Sequence, residues 1–166
     1  THQRYRVTDK VTTDLARFEA RATFAKSVPA AVAKPLLEEA LGMVRGQPFD
    51  VSRGYEWAFA ESFVTRAAIA IAEVAQRLGE IALDEGDSAT AEWAASRGLV
   101  AAPGDEGLYR IRMQAAKASG NTSAIRQIFN ELCESVEANE PYDQLDPQTI
   151  DLFESLTGKS ARSLSA

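Results

Sequence analysis

LGEIALDEGDSATA at residues 78–91 and IRMQAAKASGNTSA at residues 111–124 share one skeleton, offset by 33 to 34 positions. Leu78, Gly79, Ala82, Gly86-Asp87 and Ala91 of the first answer to Ile111, Arg112, Ala115, Gly120-Asn121 and Ala124 of the second. Each reads as a helix, a tight Gly-polar turn, and a second helix with a small residue where the two must cross. A repeat of about 34 residues with small crossing residues is the mark of stacked helical hairpins. Ala91 and Ala124 are the expected crossing residues. Hairpins of this kind present a groove to another macromolecule more often than they hold a reaction.

The rest of the chain extends the pattern to an all-α, tetratricopeptide-like fold of antiparallel helical hairpins with about seven helices. Residues 1–12 read as an irregular N-terminal segment, residues 13–158 as the helical domain, and residues 159–166 as a frayed tail. Thr12 or Thr13 caps a first helix with Leu15, Phe18, Ala22 and Ala25 on its buried stripe. A second helix spans roughly Pro29 to Val44, with Val32, Leu36, Leu37, Ala40 and Leu41 on one side. Residues 46–54 form a loop. A long third helix, about Tyr55 to Asp84, carries two apolar stripes and is expected to be the central strut. Further helices cover about 88–101, 105–119 and 122–138. A polar loop holding Pro141 follows, and Asp146-Pro147 opens the last helix.

Composition narrows the function classes. Apolar residues make up 45% of the 166, which excludes wholesale disorder. The net charge is −6 and uneven. Residues 1–26 hold six basic and three acidic residues, whereas residues 54–102 hold three and eight. An acidic body repels phosphate, so no direct nucleic-acid binding is expected. Cys133 stands alone, so no internal disulfide forms, and it reads as a small half-buried apolar residue. No apolar run reaches membrane-spanning length, and no leader peptide is visible. A cytoplasmic location is the expectation. The chain does not begin with Met and is expected to be a piece of a longer protein.

His2 is the sole histidine and sits near the first residue, which removes His-dependent triads and histidine zinc sites. No Gly-rich phosphate loop follows a strand. Asp84-Glu85 with Asp87 surrounds a turn without the twelve-residue calcium-loop pattern. The sequence therefore reads as that of a non-enzyme without cofactor or metal. Trp57 is either an aromatic anchor for a peptide or a staple holding the loop at 46–49 on the third helix. Trp93 is either buried between hairpins or a partner contact.

An ordered set of residues resembles the bacterial transcriptional activator domain, the helical module that follows a winged-helix DNA reader in actinobacterial antibiotic regulatory proteins. It runs from Asp14 to Phe18, then through Ala40-Leu41, Arg45-Gly46, Pro48-Phe49, and Trp57 with Glu61. Leu78, Ala82, Gly86-Asp87, Ala91, Pro103, Glu106, Leu108, Arg110 and Met113 continue it. Gly120, Ala124, Leu132, and Pro147 with Thr149 complete it. Tyr55-Glu56-Trp57-Ala58, Ala91-Glu92-Trp93-Ala94 and Leu108-Tyr109-Arg110 are similar to actinobacterial proteins that join peptidoglycan-binding LysM modules to this domain. The resemblance implies a role in transcription regulation. The 166 residues hold no winged helix, so direct promoter reading is not expected of them.

In tetratricopeptide arrays the first helix of each hairpin lines the concave face. On this register the partner-binding groove would comprise Glu73, Gln76, Glu80, Asp84, Glu106, Tyr109, Met113 and Lys117, beside Leu83 and Ala116. The expected partner is a protein or a neighbouring domain of the parent chain, carrying basic residues or an apolar anchor flanked by them. The plainer alternative is an ordinary solvated face. A second functional class is a small-molecule sensor, with a pocket near Arg45, Tyr55 and Trp57.

Overall fold

The computed structural model describes residues 13–48 and 62–158, and among these it holds helices and no strand. In chain order they are α1 (Asp14–Ala25), α2 (Ala30–Gly42), α3 (Phe63–Asp84) and α4 (Ser88–Leu99). They continue with α5 (Glu106–Ala118), α6 (Thr122–Ser135), α7 (Pro141–Gln144) and α8 (Pro147–Thr157). Helices adjacent in sequence pack as hairpins, α1 on α2, α3 on α4, and α5 on α6. Helix α8 then closes the stack against α5 and α6. The single turn α7 adds one helix to the seven expected. It forms in the polar loop because Pro141 supplies a first-turn residue with φ already set.

Capping fixes where most of these helices start. The side chains of Asp87, Asp105, Asn121 and Asp146 each accept a hydrogen bond from a backbone N–H one turn in. Thr13 does the same for Ala16. These bonds satisfy donors that a helix start leaves open. Helix α3 departs from expectation. Ser62 has a left-handed backbone (φ 58), so the helix begins at Phe63 and does not run unbroken from Tyr55. Tyr55, Trp57, Phe59 and Glu61 lie outside the described residues, as do segments 1–12 and 159–166.

The two turns that decide the fold share their closing hydrogen bonds. Gly86 and Gly120 both take φ 75, a conformation that favours glycine. Asp87 N–H donates to the Ala82 carbonyl, and Asn121 N–H to that of Ala116, each at 2.8 Å. The structural register is therefore Gly86 on Gly120 and Ala82 on Ala116, which is one residue longer than the register set by Ala82 and Ala115. Ala91 is fully buried at its crossing, as expected. Ala124 is not its equivalent. Its N–H donates to Asn121 at 3.2 Å, the place Thr90 holds on Asp87. Ile125 fills the second crossing and is fully buried. Abundant alanines misplace the alignment, whereas the turn hydrogen bonds carry the true register.

Helix α3 is the strut. It buries Ala67, Ile71, Val74, Ala75, Leu78, Ile81 and Ala82 and packs on α1, α2, α4 and α5. Helix α2 turns Ala33, Leu37, Ala40 and Leu41 inward, while Val32, expected on that stripe, is 47% exposed. Two apolar clusters result. One joins α1 through α4 to Leu108, Ile111 and Ala115 of α5. The other joins Tyr109, Met113 and Ala116 of α5 to α6 and α8, with Phe129 stacked on Phe153 at 4.1 Å between centroids. Helix α5 thus serves both cores from opposite faces.

Candidate functional site: a groove between three helices

An open groove of about 680 Å³ lies between three of the described helices. Helix α3 contributes Gln76, Glu80, Leu83 and Asp84, and α5 contributes Gly107, Arg110, Ile111 and Gln114. Helix α8 closes the far side with Gln148 and Leu152. The spacing 107, 110, 111, 114 is one face of a helix, and 76, 80, 83, 84 is the matching face of the strut. Leu83, Ile111 and Leu152, one from each helix, give the groove its aliphatic lining.

The walls are held by bonds within the domain. Gln76 donates its amide to Asp105 Oδ1 at 2.9 Å, the same oxygen that caps α5 through Leu108 N–H at 3.0 Å. Gly107 makes room for this, because a Cβ there would sit 2.6 Å from the Gln76 amide nitrogen. Arg110 donates to Thr149 Oγ1 at 2.8 Å, and Thr149 is fully buried. Glu106 accepts Asp146 N–H through both carboxylate oxygens, at 3.0 and 3.1 Å. These last two contacts fix α8 to α5. By contrast, Glu80, Asp84, Gln114 and Gln148 are exposed, and among the described residues their side chains have no hydrogen-bond or ion-pair partner.

Of the eight residues expected on the concave face, three line this groove: Gln76, Glu80 and Asp84. Glu73 lies elsewhere, paired with Lys26 of α1 at 2.9 Å. Glu106 is occupied by the α8 start. Lys117 is exposed on the last turn of α5 and is not in the lining. Tyr109 and Met113 are corrected outright. They are 6% and 0% exposed, packed in the core that α6 and α8 complete, and so are not available contacts. The one-residue register error accounts for part of this, and the docking of α8 for the rest. Arg110, Gln114, Gln148 and Leu152 were missed. The i, i+3, i+7 run Gly107–Arg110–Gln114 was the sequence signal, with its glycine marking a close approach.

Other candidates resolve into local structure. Lys34 of α2 reaches Glu85 at 2.7 Å and Asp87 at 3.1 Å, so the acidic turn is already held by a cation. The Thr90 hydroxyl and N–H, with Lys34, bring the Asp87 carboxyl down to about 2. On the opposite side of the hairpins a smaller notch of about 380 Å³ is floored by Arg112, Ala115 and Ala116. Burial alone would lower the Arg112 pKa, but Glu131 at 2.8 Å and Glu92 at 2.9 Å hold it above its ordinary value. That triad ties α5 to α4 and α6. Trp93 lies on the outer face of α4 at 36% exposure and is not buried between hairpins. Cys133 is half-buried, and burial pushes its thiol pKa up, away from the reactive thiolate. Arg45, expected near a ligand pocket, is solvent-exposed and paired with Asp14 at 2.9 Å; Tyr55 and Trp57 lie outside the described residues.

Among the described residues no helix is long and apolar enough to cross a membrane. A family model described as the bacterial transcriptional activator domain matches residues 13–139. Among curated proteins and among solved structures, none matches the chain. The family match ends before α7 and α8, so the α8 wall of the groove comes from outside it.

Proposed function

The chain belongs to the bacterial transcriptional activator domain family, and from that premise we propose that it acts in transcription regulation by docking, without catalysis. The docked element is a segment of a partner protein or of a neighbouring domain in its own polypeptide. The groove between α3, α5 and α8 is where it docks. One observation carries this reading. The groove's supporting side chains are engaged with one another, while four of its exposed polar side chains are not. Walls fixed in advance reduce the ordering cost of association.

Charge agrees with a protein partner over a nucleic acid. Glu80 and Asp84 stand on the groove wall, and the whole chain carries −6. A phosphate backbone would be repelled there. The reading is tested with a photocrosslinking amino acid placed at Gln114 in the groove and, as control, at Ser123 on the outer turn of α6. In extracts of the native host, the Gln114 position is expected to trap a discrete protein species or an intramolecular link in the parent chain. Equal trapping from both positions sinks the groove as the docking site.

A further inference from the structure

The unpartnered side chains of the groove also specify what fits it. Glu80 and Asp84 are one turn apart on α3 and share a wall. The rest of the lining carries the amides of Gln114 on α5 and Gln148 on α8, and each of the three helices adds one aliphatic residue, Leu83, Ile111 and Leu152. Each amide offers a donor and an acceptor, the pair that a peptide group needs. The cation among these lining residues, Arg110, is committed to Thr149 at 2.8 Å and lies 3.9 Å from Asp146, which offsets its charge. The groove is thus acidic along α3 and amide-lined along α5 and α8, with an aliphatic residue from each helix.

We propose that the occupant is an extended peptide segment carrying Lys or Arg beside a branched aliphatic residue. Its aliphatic side chain rests on Leu83, Ile111 and Leu152. Its cation meets Glu80 and Asp84. Its backbone hydrogen-bonds to Gln114 and Gln148. An extended chain suits this division because successive side chains point to opposite sides, leaving the peptide groups between them open to pairing. A helix would hide its own N–H and C=O groups and could meet the glutamines only through side chains. The inference rests on the groove being the docking site, and it adds a preference set partly by α8, which lies beyond the family-matched residues.

The test is selection of a displayed library of short random peptides against the chain. Selected peptides are expected to be enriched in Lys or Arg within two positions of Leu, Ile or Val. Their binding should fall about tenfold or more with Glu80→Lys plus Asp84→Lys, and should weaken with salt. Gln114→Leu plus Gln148→Leu should weaken peptides of different sequence alike, and methylating the central peptide nitrogens should reproduce that loss. All four positions are exposed, so unchanged helicity and melting temperature serve as the folding control. Peptides blocked by Leu152→Arg but showing no basic enrichment overturn the occupant while leaving the groove standing. Peptides indifferent to Leu152→Arg overturn both. A library that yields no binder overturns the occupant as well.

Discussion

Hairpins α3–α4 and α5–α6 share a turn and differ in the side chains that their second helices bury. On the 34-residue register, the buried face of α4 is Ala91, Ala94, Ala95 and Gly98. The buried face of α6 is Ile125, Ile128, Phe129 and Leu132. Four small residues stand where four large ones stand. The difference follows from neighbours. Helix α4 is wedged between α3 and α5, where a Cβ on Gly98 would lie 2.6 Å from Ala75 and 2.7 Å from Leu108. Helix α6 has α5 on one side and the short α8 on the other, and large side chains fill the wider gap. The same backbone unit accepts two packing solutions because its turn, not its seam, defines it.

The comparison breaks most visibly at Phe129. Stacked on Phe153 and 1% exposed, it should cost about 3–5 kcal/mol on truncation to Ala, read by urea denaturation. A cost below that of an ordinary surface change would mean that α8 does not complete the second core. Next come the reciprocal changes at the crossings. Ile125→Ala should cost about 2–5 kcal/mol through a cavity. Ala91→Ile and Gly98→Ala should each cost about 1–3 kcal/mol through overpacking. An unchanged melting temperature for Ala91→Ile would refute the wedge.

A third turn sharpens the contrast. Between α6 and α7, Glu137 N–H donates to the Glu134 carbonyl and Ala138 N–H to that of Cys133, repeating the pattern of the glycine turns. Glu137 takes φ 55 without being glycine. Glu137→Gly should therefore gain about 0.5–1 kcal/mol, and a loss in thermal melting would count against the shared geometry.

The smallest effect separates the two caps by pH. Asp87 titrates and its equivalent Asn121 does not. The folded carboxyl of Asp87 lies at about 2, below its ordinary 3.8. Its contribution is thus present above the ordinary value and is lost as pH falls through that window towards 2. Asp87→Asn should flatten the acid limb of melting temperature against pH, while Asn121→Ala should shift the whole curve down evenly. A steep acid limb that survives Asp87→Asn would place the titrating group elsewhere.

The helices, with the caps at Thr13 and Asp146, were legible because they rest on local chemistry. Thr13 and Asp146 act within one turn of themselves, so their roles show in the sequence. The site was legible only on α3, where Gln76, Glu80 and Asp84 follow one helical face. On α5 it was not. Leu108, Tyr109, Ile111, Met113, Ala115 and Ala116 are all buried, so apolar residues occupy much of its circumference. Which of them meet solvent depends on where α8 lands, and that is settled by Phe129, Phe153 and the Arg110–Thr149 bond across dozens of residues. Periodicity carries no record of such a choice.

The wedged position of α4 also sets how the molecule opens. A helix whose glycine and alanines touch neighbours on both sides cannot separate from one without disturbing the other. Its amide protons should therefore exchange with solvent only when the whole stack comes apart, while α8 and α1, each at one end, exchange through smaller excursions. Loosening would begin at α8, the helix that bounds the groove on its far side. Occupancy of that groove would be felt first as slower exchange in α8, before any change in α4.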